Sequence, residues 1–181
     1  MDEEQVGLIV RVTARLSAIG FLAAIGLFAA RFPGKVGGAI RLLTSFLVAH
    51  TIHFGAVTWL AMLTAGENIG ERGGWPVAMT VAAAFYLSAF AVLRMWRRVA
   101  SARPVSRLER LAAHLGVLFI AAIFLNSYAA RVATKPAYWL WIAGLVSVVT
   151  VYMARTMPIL GRRELSDARL AGARSQQPGR R

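Results

Sequence analysis

The 181-residue sequence has no cysteine. Disulfides, thiolate metal sites and a cysteine nucleophile are therefore excluded, and thiols say nothing about redox compartment. Carboxylates are scarce, with 8 Asp and Glu against 21 Lys and Arg, for a formal charge of +13. Every acid falls at or beyond the edge of an apolar run, so no carboxylate-rich metal site is expected inside one. Only three histidines occur, His50, His53 and His114. There is no P-loop, nucleophile elbow or zinc-protease helix. No lysine lies within an apolar run, which argues against a retinal Schiff base.

What is abundant is hydrophobic surface. The chain is 57% hydrophobic with a mean hydropathy of +0.57, more apolar than a soluble domain of this size. The apolar residues form runs long enough to cross a bilayer, which takes about 20 helical residues. Five spans are expected: Val6 or Ser17 to Ala30, Ile40 to Ala65, Pro76 to the "RMWRR" stretch, Leu108 to Ala130, and Ala137 to Met157. Pro33 with three glycines, the "GENIGERGGWP" stretch, "ASARPVSR" and "RVATKP" separate them. This reads as one all-α integral membrane bundle over residues 1–160, followed by a basic, disordered cytoplasmic tail over 161–181. The acidic start and the long first run argue against a cleaved signal peptide.

In a soluble protein, +13 would point to nucleic acid. Here the arginines flank apolar spans and sort by side, so no nucleic-acid partner is expected. The first loop, third loop and tail hold most of the 21 basic residues, and only Glu109, Glu164 and Asp167 as acids. On the other side Arg11, Arg15, Arg72, Arg131 and Lys135 are matched by five acids. The positive-inside rule then gives N-terminus out and C-terminus in, in an inner or plasma membrane. Trp75, Trp139 and Trp141 are expected at the outer interface and Trp96 at the inner one.

"FLVAHTIHFGAVTWL", residues 46–60, places His50 and His53 inside an apolar run. Ionisable groups within a span are costly and mark function by default. At about 1.5 Å per residue, both lie near mid-membrane and share a helix face. His114 enters from the inner side of the fourth span, so His50 and His114 are expected at broadly similar depth on different helices. Two such imidazoles suit the two axial positions of a haem. Gly116, Ala112, Ala113, Ala121 and Ala122 would leave room for the ring, and Arg41, Arg107 or Arg110 would meet its propionates.

"LLTSFLVAHTIHFGAVTWLAML", followed by "SRLERLAAHLGVLFIAAIFLNSYAAR", resembles the ferric reductase-like transmembrane family of b-haem proteins. The resemblance covers spans two to four. It implies haem b held by His114, within "RLERLAAHLG", and by His50, with His53 as the alternative ligand. The family's second haem site is missing, because Ser127 or Tyr128 and Gly66 or Glu67 stand where its histidines would be. The implied function is a small b-type cytochrome carrying single electrons to or from a partner protein or quinone, as the haem subunit of an oxidoreductase. The residues leave two other readings open. One is a non-haem membrane enzyme or transporter using His50 and His53 as a proton relay. The other is a structural or assembly subunit whose histidines hydrogen-bond across helices.

Fainter signals remain. Glu67 and Glu71, with Asn126, Tyr128 and Arg131, would form an outer pocket for a lipid or isoprenoid, although a solvated loop is the better explanation of the two acids. Arg11 and Arg15 read as snorkelling side chains. The basic third loop and tail would attract anionic headgroups.

Overall fold

The computed structural model describes residues 3–30, 35–64 and 74–157. These form five helices: α1 Glu3–Ala29, α2 Val36–Leu63, α3 Gly74–Ala100, α4 Arg107–Val132 and α5 Tyr138–Thr156. All five are long and apolar enough to cross a membrane. The fold class and number of spans match the sequence reading. Glu67, Glu71, Arg72, Pro33 and the tail lie outside the described residues.

The helices close into a ring. α1 packs on α2 and α5, α2 on α3, α3 on α4, and α4 on α5. Short connections make each consecutive pair antiparallel. The bundle therefore has a basic end, where α2 and α4 start, and a far end, where α1, α3 and α5 start. Large apolar side chains such as Leu87, Leu108 and Leu140 are more than two-thirds exposed, as lipid-facing residues of a span are.

Helix termini follow local chemistry. At α4, Ser106 caps the helix by accepting from the Glu109 backbone N–H, while the Glu109 carboxylate accepts from the Ser106 N–H. This is the reciprocal capping box that Ser-x-x-Glu encodes. At the end of α3, the Arg103 N–H donates to the Arg98 carbonyl and the Ala102 N–H to the Val99 carbonyl. Ala102 sits at φ 51°. This is a Schellman closure with alanine in the left-handed position that usually takes glycine.

Two sequence expectations change. Trp96 is not an interfacial belt residue: it is fully buried, stacked on Phe28 at 4.3 Å and 5°. Gly116 does not make room for a cofactor. A Cβ there would lie 2.7 Å from the Ser88 carbonyl oxygen, so the glycine lets α3 and α4 touch backbone to backbone. Of the alanines around it, Ala113 and Ala121 are buried and Ala112 and Ala122 are exposed.

Candidate functional site: histidines on either side of a phenylalanine layer

Phe21 of α1, Phe46 of α2, Phe85 of α3 and Phe124 of α4 meet in the middle of the bundle. Their ring centroids lie 5.3 to 6.3 Å apart in the Phe21–Phe46, Phe21–Phe124, Phe46–Phe85 and Phe46–Phe124 pairs. This layer separates two groups of buried polar atoms.

On the far-end side stand His50 and His53. His50 is 7% exposed and stacks on Phe85 at 3.9 Å and 20°. Its Nδ1 is buried and, among the described residues, has no hydrogen-bond partner. Its ring lies 5.5 Å from that of His53, as i and i+3 on one helix face require. Ser17 occupies the matching turn of α1, because α1 and α2 touch where Gly20 meets Phe46. The Ser17 Oγ is likewise buried and unpartnered among the described residues.

His53 is half-buried and reaches across to α1. Its Nδ1 lies 3.1 Å from the Val10 carbonyl and 3.2 Å from the Thr13 hydroxyl. A carbonyl only accepts, and the Thr13 hydroxyl already donates to the Ile9 carbonyl at 2.7 Å. Both neighbours therefore call for a proton on Nδ1, which leaves Nε2 as the basic nitrogen.

On the basic-end side stand His114, Thr156, Tyr152 and Trp96. His114 is 4% exposed, and both its nitrogens are engaged. Nδ1–H donates to the Arg110 carbonyl at 2.6 Å, and Nε2 meets the Thr156 hydroxyl at 3.0 Å. Thr156 in turn donates to the Tyr152 carbonyl at 2.6 Å. The Thr156 hydroxyl has one proton for two partners. Nε2 of His114 either accepts that proton or, when itself protonated, donates to the hydroxyl oxygen. Trp96 Nε1 and the Tyr152 hydroxyl approach each other, but neither completes a hydrogen bond.

The sequence expectation that His50 and His114 lie at similar depth is corrected by this register. The His50 ring lies 6.2 Å from that of Phe124, and His114 is ten residues further along α4, about 15 Å away at 1.5 Å per residue. Two axial nitrogens of one iron have to lie within a few ångströms of each other. As packed, His50 and His114 do not frame one haem, and the nitrogen of His114 that would ligate is held by Thr156. His53 cannot be the second ligand to the same iron as His50, since both project from one helix face. Arg41 and Arg107 are exposed and Arg110 half-buried, all at the basic end and remote from His50. Among the described residues no group of three or more His, Asp and Glu side chains converges.

The far end also holds a cluster in which Tyr128 and Arg131, grouped by the sequence reading, are joined by Arg15 and Tyr138, which that reading did not place with them. Arg15 of α1 and Arg131 of α4 both reach the hydroxyl of Tyr138 on α5. The Arg131 guanidinium lies 5.9 Å from the Tyr138 ring centre, and Tyr128 packs on Tyr138 at 5.6 Å. His53 lies within the field of Arg131. Arg15 had read as a snorkelling side chain; its convergence with Arg131 depends on α1 packing beside α5, which periodicity does not reveal. Asn126 is exposed on another face of α4 and does not join the cluster.

No protein-family model, curated protein or solved structure matches the chain. The resemblance to the ferric reductase-like family therefore stands on the quoted residues alone.

Proposed function

We propose that this is a multi-pass membrane protein, N-terminus out and C-terminus in, that takes up and releases protons within the bilayer through His53 and His50. The reading belongs to a proton-coupled transporter or enzyme. The observation that carries it is the unpartnered, buried Nδ1 of His50 beside a second imidazole whose free nitrogen is Nε2. A buried polar atom without a partner costs about 1–3 kcal/mol. Such atoms persist where a proton or water visits them. His53, the more exposed of the two, exchanges with the outer face. His50 receives the proton directly or across one water. The phenylalanine layer separates this pair from Trp96, Tyr152 and His114 at rest, and a proton that crosses the bundle passes it in the transport step. Orientation rests on the arginine asymmetry and the positive-inside rule.

The b-type cytochrome reading, with a partner protein or quinone as electron donor or acceptor, has the same free nitrogen of His50 in its favour. The placement of His114 weighs against it. Proteoliposomes carrying a pH-sensitive dye inside test the proton reading. Wild-type protein is expected to dissipate an imposed pH gradient, and His53→Gln and His50→Gln to lose at least tenfold of that rate. His114→Gln, which alters the opposite group, serves as the control for general damage. Equal rates in wild type and His53→Gln would sink the proposal. So would a reduced-minus-oxidised b-type spectrum that disappears in His50→Ala.

A further inference from the structure

At the basic end, α3 and its closing turn form a cavity of about 430 Å³ lined by Phe90, Leu93, Arg94, Arg97, Arg98, Ser101 and Arg103. We infer that this cavity binds a phospholipid whose headgroup carries more than one negative charge. The inference is independent of the proton reading and concerns the other end of the molecule.

The charge balance points to a multiply charged anion. Four guanidiniums line the cavity. One carboxylate serves two of them: Glu109 pairs with Arg94 at 3.0 Å and with Arg98 at 3.1 Å. Arg97 and Arg103 have no carboxylate partner among the described residues. The cavity is thus left with a surplus of about three positive charges by formal counting. Guanidinium forks match phosphate oxygens bidentately.

The backbone holds these groups in place. The Schellman closure at Ala102 turns the chain back so that Arg103 faces the rim from beyond the helix end, and the Arg98 guanidinium donates to the Pro104 carbonyl at 3.2 Å. Two of the four arginines are therefore fixed by partners inside the protein, while Arg97 and Arg103 remain for a ligand.

The apolar side selects a lipid over a free phosphate. Leu87 and Phe90 are 71% and 57% exposed on the lipid-facing surface of α3. They stand one turn apart and lead directly to Arg94 and Arg97 by the i, i+3 and i, i+4 spacing of a helix. An acyl chain lying along Leu87 and Phe90 brings its headgroup to the arginines. A soluble phosphate would gain nothing from that stripe. Basic pockets at the ends of membrane helices are suited to such headgroups.

The test uses full-length protein in a neutral detergent. Binding is read by native mass spectrometry and by thermal stabilisation. The probes are cardiolipin, phosphatidic acid, phosphatidylethanolamine and inorganic pyrophosphate. Saturable binding of cardiolipin or phosphatidic acid is expected, with phosphatidylethanolamine inert and pyrophosphate a poor competitor. Arg97→Gln and Arg103→Gln remove no ion pair, so the fold is expected to stand. Each is expected to weaken lipid binding about fivefold, and the pair about 30-fold, from the worth of one arginine near an anionic surface. Phe90→Ser is expected to weaken lipid binding without changing pyrophosphate binding. Undiminished lipid affinity in the double variant would overturn the inference. So would displacement of the lipid by equimolar pyrophosphate, which would assign the cavity to a soluble phosphate.

Discussion

Substituting Gly116 by alanine tests the register on which the separation of the histidines depends. The added Cβ would stand 2.7 Å from the Ser88 carbonyl oxygen and 3.2 Å from the Ser88 Cα and carbonyl carbon. Ordinary carbon–oxygen contacts of this kind lie near 3.3–3.6 Å, so α3 and α4 must part by about 0.7 Å. The obstacle is helix backbone and cannot rotate away. Overpacking of this sort costs about 1–3 kcal/mol. Alanine recovers up to about 1 kcal/mol of helix propensity. The net expected loss is about 1–2 kcal/mol. Gly144 and Gly55 supply an internal control, because a Cβ at either meets nothing within 4 Å. Alanine there is expected to be neutral or to gain up to about 1 kcal/mol. Unfolding of the three variants in mixed micelles, followed by circular dichroism, provides the comparison. If Gly116→Ala is as stable as Gly144→Ala, α3 does not close on α4 at this point. The room beside Gly116 would then be open to a cofactor after all.

Two further substitutions probe the ends of α3 and α5. Ala102 holds φ 51°, which costs a non-glycine residue about 1–2 kcal/mol, so Ala102→Gly is expected to stabilise the protein by about 1 kcal/mol in the same titration. Thr156→Val removes the partner that His114 Nε2 has among the described residues and leaves a buried nitrogen unsatisfied. A loss of about 1–3 kcal/mol is expected, and an unchanged unfolding midpoint would show that the link between α4 and α5 carries no weight.

The spans were legible because each carries an apolar run long enough to cross a bilayer, with arginine, glycine or proline near its ends, and apart from the alternative start at Ser17 the helices begin and end within a few residues of the expected bounds. His50, His53 and His114 were legible as candidate functional groups because an imidazole in an apolar run is costly; in the bundle His50 and His114 are buried and His53 half-buried. Their mutual placement was not legible. Counting depth from the nearest arginine treated α2 and α4 as starting at one level. In the bundle, Phe46 and Phe124 share a layer although they lie 10 and 17 residues from their helix starts. That offset of about 10 Å at 1.5 Å per residue moves His114 to the opposite side of the layer from His50. Trp96 went astray for a related reason. Its neighbours Arg97 and Arg98 suggested an interface, but the next position around the helix points at Phe28. The arginine cavity was legible only as charge, since its shape depends on the backbone reversal at Ala102.

Because the chain has three histidines, nitrogen NMR of ¹⁵N-histidine-labelled protein reads every imidazole separately, with one substitution each for assignment. Ring-nitrogen shifts report tautomer, protonation and hydrogen bonding. Across a pH series, His53 is expected to show a protonated Nδ1 and an Nε2 that titrates, with His50 responding to the same transition. His114 is expected to stay hydrogen-bonded at both nitrogens. A His53 locked as the opposite tautomer, or His50 and His53 signals that do not move over the whole series, would contradict a proton-exchanging pair.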